Sequence, residues 1–177
     1  ALIMSDSSNE TDNEVVAYIV NNYSSTTKII DIGAGAGKMW ELLHKTHPNI
    51  DAIEVWTPNV EEYLGDKYNK VFNVDCLDFK EYGDYNLATI GDMLEHLTVK
   101  DAQKLLTMLP KDVVIIVPYS LHKHHLAGNP YQEHKQPDLT VENMEERYPE
   151  LNLIWDNIKT SKTTPNGLGI YVRTKYV

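Results

Sequence analysis

Cysteine is nearly absent: Cys76 stands alone among 177 residues. An internal disulfide and a cysteine-built zinc cluster are both excluded. Long apolar runs are missing too. No stretch approaches the roughly 20 residues that span a bilayer, and none has the form of a secretion signal. A cytoplasmic location without membrane contact is the expectation. Positive charge is scarce: 16 lysines and arginines face 26 aspartates and glutamates, a net charge of −10. Broad nucleic-acid binding runs on phosphate neutralisation and is therefore disfavoured. Internal repeats, low-complexity tracts and Pro/Gly-rich linkers are absent as well. The length suits a single domain with a sizeable core. We expect that domain over residues 11–177, after a flexible N-terminus of ten residues.

What is present alternates between two periodicities. Thr11 to Tyr23 reads as an amphipathic helix, with Thr11 and Glu14 spaced as a capping box. Apolar strand signals follow at residues 28–32, 51–56, 70–74, 85–90 and 113–117. Helical patterns separate them at Met39–His44, after Thr57-Pro58, and from Thr98 to about Met108. A helix over Thr140–Tyr148 precedes two last strands, Leu151–Trp155 and Gly167–Arg173, with turn residues Pro165-Asn166-Gly167 between them. This order predicts an α/β fold: a doubly wound, mostly parallel seven-stranded sheet, an antiparallel C-terminal edge pair, and helices on both faces. In such sheets the ligand sits beyond the carboxyl ends of the strands.

The first such end carries Asp31-Ile32-Gly33-Ala34-Gly35-Ala36-Gly37. Glycines there allow a tight turn and a close ligand approach to the next helix. The phosphate-loop reading fails, because Ile32 and Met39 replace its first glycine and its hydroxyl residue. The dinucleotide reading is weakened by Lys38 in the place of its last glycine. Glu54 ends the second strand, where an acid can accept hydrogen bonds from both ribose hydroxyls.

Two further segments narrow the reading: Asp75-Cys76-Leu77 after strand three, and Asp92-Met93-Leu94-Glu95-His96-Leu97 after strand four. Taken with the glycine loop and Glu54, they make the chain resemble class I S-adenosylmethionine-dependent methyltransferases over roughly residues 11–120. The resemblance implies S-adenosylmethionine as cofactor and S-adenosylhomocysteine as its product. It places Asp31, Gly33 and Gly35 around the methionine part and makes Gly37 a further cofactor-binding residue. Glu54 would hold the ribose, with Val55 and Trp56 beside the adenosine. Asp75, Cys76 and Leu77 would frame the adenine, and Asp92 and Met93 would line the pocket near the sulfonium. The donor is already activated, so the protein has to align a nucleophile and remove its proton. His96 and His134 are the candidate catalytic bases.

Asp92, Glu95 and His96 also resemble the E-x-x-E-H metal run of small-RNA 3′-end and ubiquinone-pathway methyltransferases. Two carboxylates and one histidine form an incomplete shell, which His122, His124, His125 or His134 would have to finish. The expectation is a braced site without metal. The segment from Val117 to His134 is long, aromatic and rich in histidine, which suits a lid over the substrate pocket. It is similar, loosely, to loops of bacterial methyltransferases from sugar and cell-surface pathways. Tyr119, Asn129 and Tyr131 are its candidate substrate-binding residues. The favoured function is methylation of an O or N on a small molecule or glycan precursor. Two alternatives stand beside it: a metal-assisted RNA-end 2′-O-methyltransferase, and a non-catalytic nucleotide-binding Rossmann-like module. The sequence leaves the acceptor and the oligomeric state open.

Overall fold

The computed structural model describes residues 6–119, 128–160 and 165–174. The strands are β1 (Ile29–Ile32), β2 (Ile50–Ile53), β3 (Val71–Phe72), β4 (Leu87–Gly91), β5 (Asp112–Tyr119), β6 (Asn152–Asp156), β7 (Lys159–Thr160) and β8 (Pro165–Arg173). Seven of them form one sheet in the order β3-β2-β1-β4-β5-β8-β6. The pairs from β3 across to β5 are parallel. β8 runs antiparallel to both β5 and β6. The order reverses between β1 and β4, so a crevice opens at their carboxyl ends. The expected seven-stranded architecture is present, and β7 is a two-residue addition that pairs with β8 alone.

The apolar run of β5 explains why both faces are covered. Val113, Ile115 and Val117 enter one core, which holds Ala102, Leu105 and Leu106 of α4 (Val99–Met108) and Met144 of α5 (Val141–Arg147). Val114 and Ile116 enter the other, with Val15 and Ile19 of α1 (Asp6–Asn22) and Met39 and Leu43 of α2 (Lys38–Leu43). Successive side chains of a strand alternate faces, so a continuous apolar run needs a helix layer on each side. α4 starts at Thr98, whose hydroxyl accepts the Asp101 N–H, and α5 starts at Thr140 in the same way with Asn143.

Several expectations need correction. α1 begins at Asp6, which puts residues 6–10 in a helix and leaves Thr11 buried inside it, so no capping box forms there. The periodicity of the apolar face begins at Thr11, but the backbone can continue upstream over polar residues. The helix expected after Thr57-Pro58 already includes both as the first residues of α3 (Thr57–Asn59), and the Thr57 hydroxyl donates to Asn73 Oδ1 at 2.9 Å. The helix then widens into a π-type turn at Val60–Leu64. Pro165, Asn166 and Gly167 start β8 instead of forming a turn, because Tyr119 and Lys159–Thr160 offer them strand partners.

Tyr119 is a core residue, 1% exposed, and the expected role in substrate binding is not supported by its position. Its hydroxyl meets that of Tyr171 at 2.5 Å, and its ring lies where a Cβ on Gly169 would stand. The last residue of β5 points into the sheet packing and away from the cleft. Gly169→Ala should therefore push the Tyr119 ring from its place. We expect a loss of about 1–3 kcal/mol from overpacking, seen as a fall of several degrees in thermal midpoint. The same substitution in a Tyr119→Leu background should be milder.

Candidate functional site

The glycine loop turns directly off β1. Gly33, Gly35 and Gly37 all have positive φ, at 70°, 57° and 89°. That backbone region is open to glycine and strained for other residues. Glu54 holds the loop from the neighbouring strand end. Its Oε2 accepts the Gly35 N–H at 2.7 Å, and its Oε1 accepts the Trp56 N–H at 2.9 Å. Asn73 fixes the same strand end by donating to the carbonyls of Glu54 and Val55. Met93 packs on Gly33 where a side chain would otherwise begin, so the loops after β1 and β4 touch.

Two adjoining cavities of about 200 and 270 Å³ occupy this crevice and share Gly33, Asp92 and Gln132. Of the expected residues, Glu54, Val55, Asp75, Cys76, Leu77 and Met93 line the first, together with His96. Asn129 and Tyr131 close it from the other side. The second is walled by Asp31 and Gly35, with Asp12 and Lys38 paired at 3.0 Å on its rim. Gly37, Trp56, Tyr119 and His134 line neither. Gly37 serves the turn under Lys67, and Trp56 meets the half-exposed Tyr131 with ring centroids 6.0 Å apart. Two broader depressions lie at the opposite strand ends. Of their charged groups, Asp112 accepts from Tyr23, and Arg173 donates to three carbonyls.

Asp31 is more a brace than an open ligand group. It is buried, and its two oxygens accept from Tyr68 at 2.5 Å and Thr89 at 3.0 Å. Burial pushes its carboxyl up to about 6, against the lowering effect of those two bonds. Burial likewise pushes the Cys76 thiol up to about 12, which leaves it a packing residue of the cavity wall.

The turn after β4 holds the chemistry. Asp92 has φ 49°, the one positive value among the described non-glycine residues. It is open to solvent through the cleft, yet enough protein surrounds it to hold its carboxyl above the usual range, against the nearby Lys38. Glu95 is 2% exposed. Burial, with the neighbouring Asp92 charge, pushes its carboxyl up to about 8. Its Oε2 has no partner among the described residues. His96 Nδ1 lies 3.2 Å from the Glu133 carbonyl. A carbonyl cannot donate, so that nitrogen carries the proton, and in the neutral ring Nε2 is left with its lone pair. Burial keeps the ring neutral by lowering its pKa. Nε2 points at Glu95 Oε1 from 3.4 Å. Two lone pairs face each other there unless a proton on Glu95, or a cation, lies between them.

His134 completes the group, its ring edge-on to His96 at 4.8 Å. One ligand atom from each of Glu95, His96 and His134 lies within 4.8 Å of the others. The set is chemically suited to a divalent cation of the magnesium, manganese or zinc kind. The candidates His122, His124 and His125 lie outside the described residues. Gln132 and Gln136 were missed by the sequence reading. Gln132 links the two cavities and Gln136 fastens the turn, and neither sits in a motif that could have marked it.

No protein-family model and no curated protein sequence matches the chain. Solved structures do. Magnesium protoporphyrin IX methyltransferase from Synechocystis PCC 6803, with bound S-adenosylmethionine, is 12% identical, with 95% of this chain and 80% of that one covered at a TM-score of 0.64. The methyltransferase domain of bacterial CtHen1 is 18% identical, covering 96% and 100%, with a TM-score of 0.66. A SAM-dependent methyltransferase from Archaeoglobus fulgidus is 15% identical, covering 92% and 94%, at 0.64. The chain has the fold of S-adenosylmethionine-dependent methyltransferases. Within that methyltransferase fold, the two cavities lie at the strand-order reversal where a nucleoside ligand is expected.

The raised carboxyl of Asp31 has a signature in stability. Its folded pKa lies above its ordinary value of 3.8, so protonation favours the fold. That contribution is present at low pH and is lost as pH rises through about 6. Relative to Asp31→Asn, the natural protein should lose on the order of 2–3 kcal/mol between pH 4 and pH 7. Urea unfolding of both forms at the two pH values checks this. A constant difference between them would contradict it.

Proposed function

We propose that the chain is an S-adenosylmethionine-dependent methyltransferase that methylates a hydroxyl presented to Glu95, His96 and His134, on a small molecule or glycan precursor. The observation that carries this reading is the Glu–His–His cluster, with Glu95 buried, both histidines partly buried and His96 lining a cleft built from the β1, β2 and β4 loops. Glu54 stands where the ribose hydroxyls would arrive, already oriented by two N–H groups. Asp75 is held by the Leu77 N–H at 2.9 Å, facing the adenine end. In the second cavity Asp92 suits the sulfonium and the ammonium of the methionine part, and Lys38, paired with Asp12, suits its carboxylate.

Transfer requires the acceptor oxygen to attack the methyl carbon in line as the carbon–sulfur bond breaks. The sulfur keeps the bonding electrons and leaves as a neutral thioether. The hydroxyl proton passes to an imidazole. His96 suits that role because its Nδ1–H is tied to Glu133 and burial keeps Nε2 unprotonated. His134, at the ring edge of His96, is the second acceptor for that proton.

A divalent cation at the same cluster is a second reading, favoured by the unpartnered Glu95 Oε2 and the facing lone pairs of Glu95 and His96. Glu95, His96 and His134 would hold it, with Asp92 nearby. When bound, such an ion would draw in the acceptor oxygen and ease loss of its proton. This is the arrangement expected of an RNA-end enzyme, and one of the similar structures is described as a small RNA methyltransferase. The net charge of −10 and the carboxylates around the cleft favour a smaller and less anionic acceptor.

Calorimetry with S-adenosylhomocysteine is the direct test. Binding at tens of micromolar or tighter is expected, and its absence would sink the proposal. Glu54→Ala should weaken that binding by at least tenfold. 5′-Methylthioadenosine, which lacks the amino-acid end, should be insensitive to Lys38→Met, whereas S-adenosylhomocysteine should bind that variant more weakly.

The cluster is tested by transfer of a labelled methyl group into small-molecule extracts. His96→Ala and His134→Ala should each reduce transfer by on the order of a hundredfold while binding S-adenosylhomocysteine as the natural protein does. Loss of transfer in EDTA, with restoration by Mn²⁺, would select the metal reading. Unchanged transfer would select the imidazoles acting alone.

A further inference from the structure

Gln136 lines neither cavity of the cleft, yet it is among the most buried polar residues described, at 2% exposure. A primary amide offers two donor hydrogens and two acceptor lone pairs, and burying any of them unpaired is costly. Here all four are used. Nε2 donates to the carbonyls of Leu94 at 3.1 Å and Leu97 at 3.0 Å. Oε1 accepts the Tyr148 hydroxyl at 2.7 Å and Arg147 Nη1 at 3.3 Å. The main-chain N–H groups of Lys135 and Gln136 both donate to the Glu95 carbonyl.

The two carbonyls on the donor side flank the turn that carries Glu95 and His96. The two groups on the acceptor side belong to the end of α5, where Arg147 is further fixed by a two-pronged bond to Asp138. Gln136 thus joins three chain segments at one side chain. His134 lies two residues away on the same strap, held from its other flank by the bond from His96 to the Glu133 carbonyl. The strap is thus held to the turn by the two main-chain bonds to the Glu95 carbonyl and by the two bonds from the Gln136 amide.

We propose that Gln136 is a positioning residue of this site: by gripping the Leu94 and Leu97 carbonyls it sets His134 against Glu95 and His96. It touches neither cofactor nor acceptor and acts through the geometry of the cluster. The inference rests on the reading that this cluster receives the acceptor hydroxyl. It differs from ordinary packing glue in one respect. The half of the amide that faces the turn should matter to the site, and the half that faces α5 should matter only to stability.

Two variants separate the halves. Gln136→Glu keeps the acceptors for Tyr148 and Arg147 and replaces the donors to Leu94 and Leu97. Tyr148→Phe leaves those donors in place and removes one bond on the α5 side. With S-adenosylhomocysteine bound, the natural protein should show a nuclear Overhauser contact between the His96 and His134 rings. Gln136→Glu should lose that contact and at least tenfold of the methyl transfer, with S-adenosylhomocysteine affinity kept within threefold. Tyr148→Phe should keep both, at a lower thermal midpoint. If Gln136→Glu does not bind S-adenosylhomocysteine, Gln136→Met fills the same volume without donors and replaces it.

Retention of the ring contact in the Gln136 variant would overturn the proposal. So would equal losses of transfer in the two variants, in step with their melting temperatures. A natural protein that shows the contact but transfers no methyl group would defeat the acceptor reading, and the ring contact in the variants would still decide the role of Gln136.

Discussion

One carboxylate ties the cleft together. Glu54 accepts one N–H from the glycine loop after β1 and one from its own loop after β2, so two strand ends share a single acceptor. The loop it holds has three residues at positive φ and would otherwise be among the most pliable segments of the chain. Once Glu54 fixes it, Gly33 offers a flat backbone surface for Met93, and the loop after β4 takes its place against that surface. The position of Asp92, and of the Glu95–His96 turn behind it, follows from that contact.

The site is divided between two kinds of environment. At the ends of β2 and β3 the carboxylates are oriented by backbone N–H groups: Glu54 accepts from Gly35 and Trp56, and Asp75 from Leu77. On the other side Glu95 is buried with its Oε2 unpartnered among the described residues, and its ionised form is disfavoured. A carboxylate left in that state weakens a fold unless it serves a ligand or a reaction. The same contrast separates Asp31 from Glu95. Both are buried, but Asp31 has hydroxyl donors from Tyr68 and Thr89 on its two oxygens.

What could be read from the sequence was local. The glycine loop, Glu54, Asp75 and the Asp92–His96 turn each follow a strand within a few residues, and the parallel sheet gathers strand ends automatically. The sheet order and the antiparallel end follow from the alternation of apolar runs. The rest depended on partners far along the chain. Tyr119 seemed placed for the cleft by its position after an apolar run, but its direction is set by Tyr171 and Gly169 on β8. The place of His134 beside His96 depends on a strap whose anchoring residues, Gln136 and Tyr148, carry no motif. The start of α1 was misplaced because apolar periodicity marks the buried face of a helix, and the exposed first turns of α1 carry none.

The strand order also has a consequence for how the chain is made. β8 lies between β5 and β6, although β6 precedes it in sequence. β5 ends at Tyr119, and its antiparallel neighbour starts only at Pro165. During synthesis, the apolar edge of β5 therefore emerges with its backbone groups unpaired and waits for a strand not yet translated. β6 cannot occupy its final place early, because nothing would join it to the sheet. Long-range pairing of this kind is slow, and an open edge is prone to pair with other chains. The period of greatest aggregation risk falls between translation of β5 and release of β8.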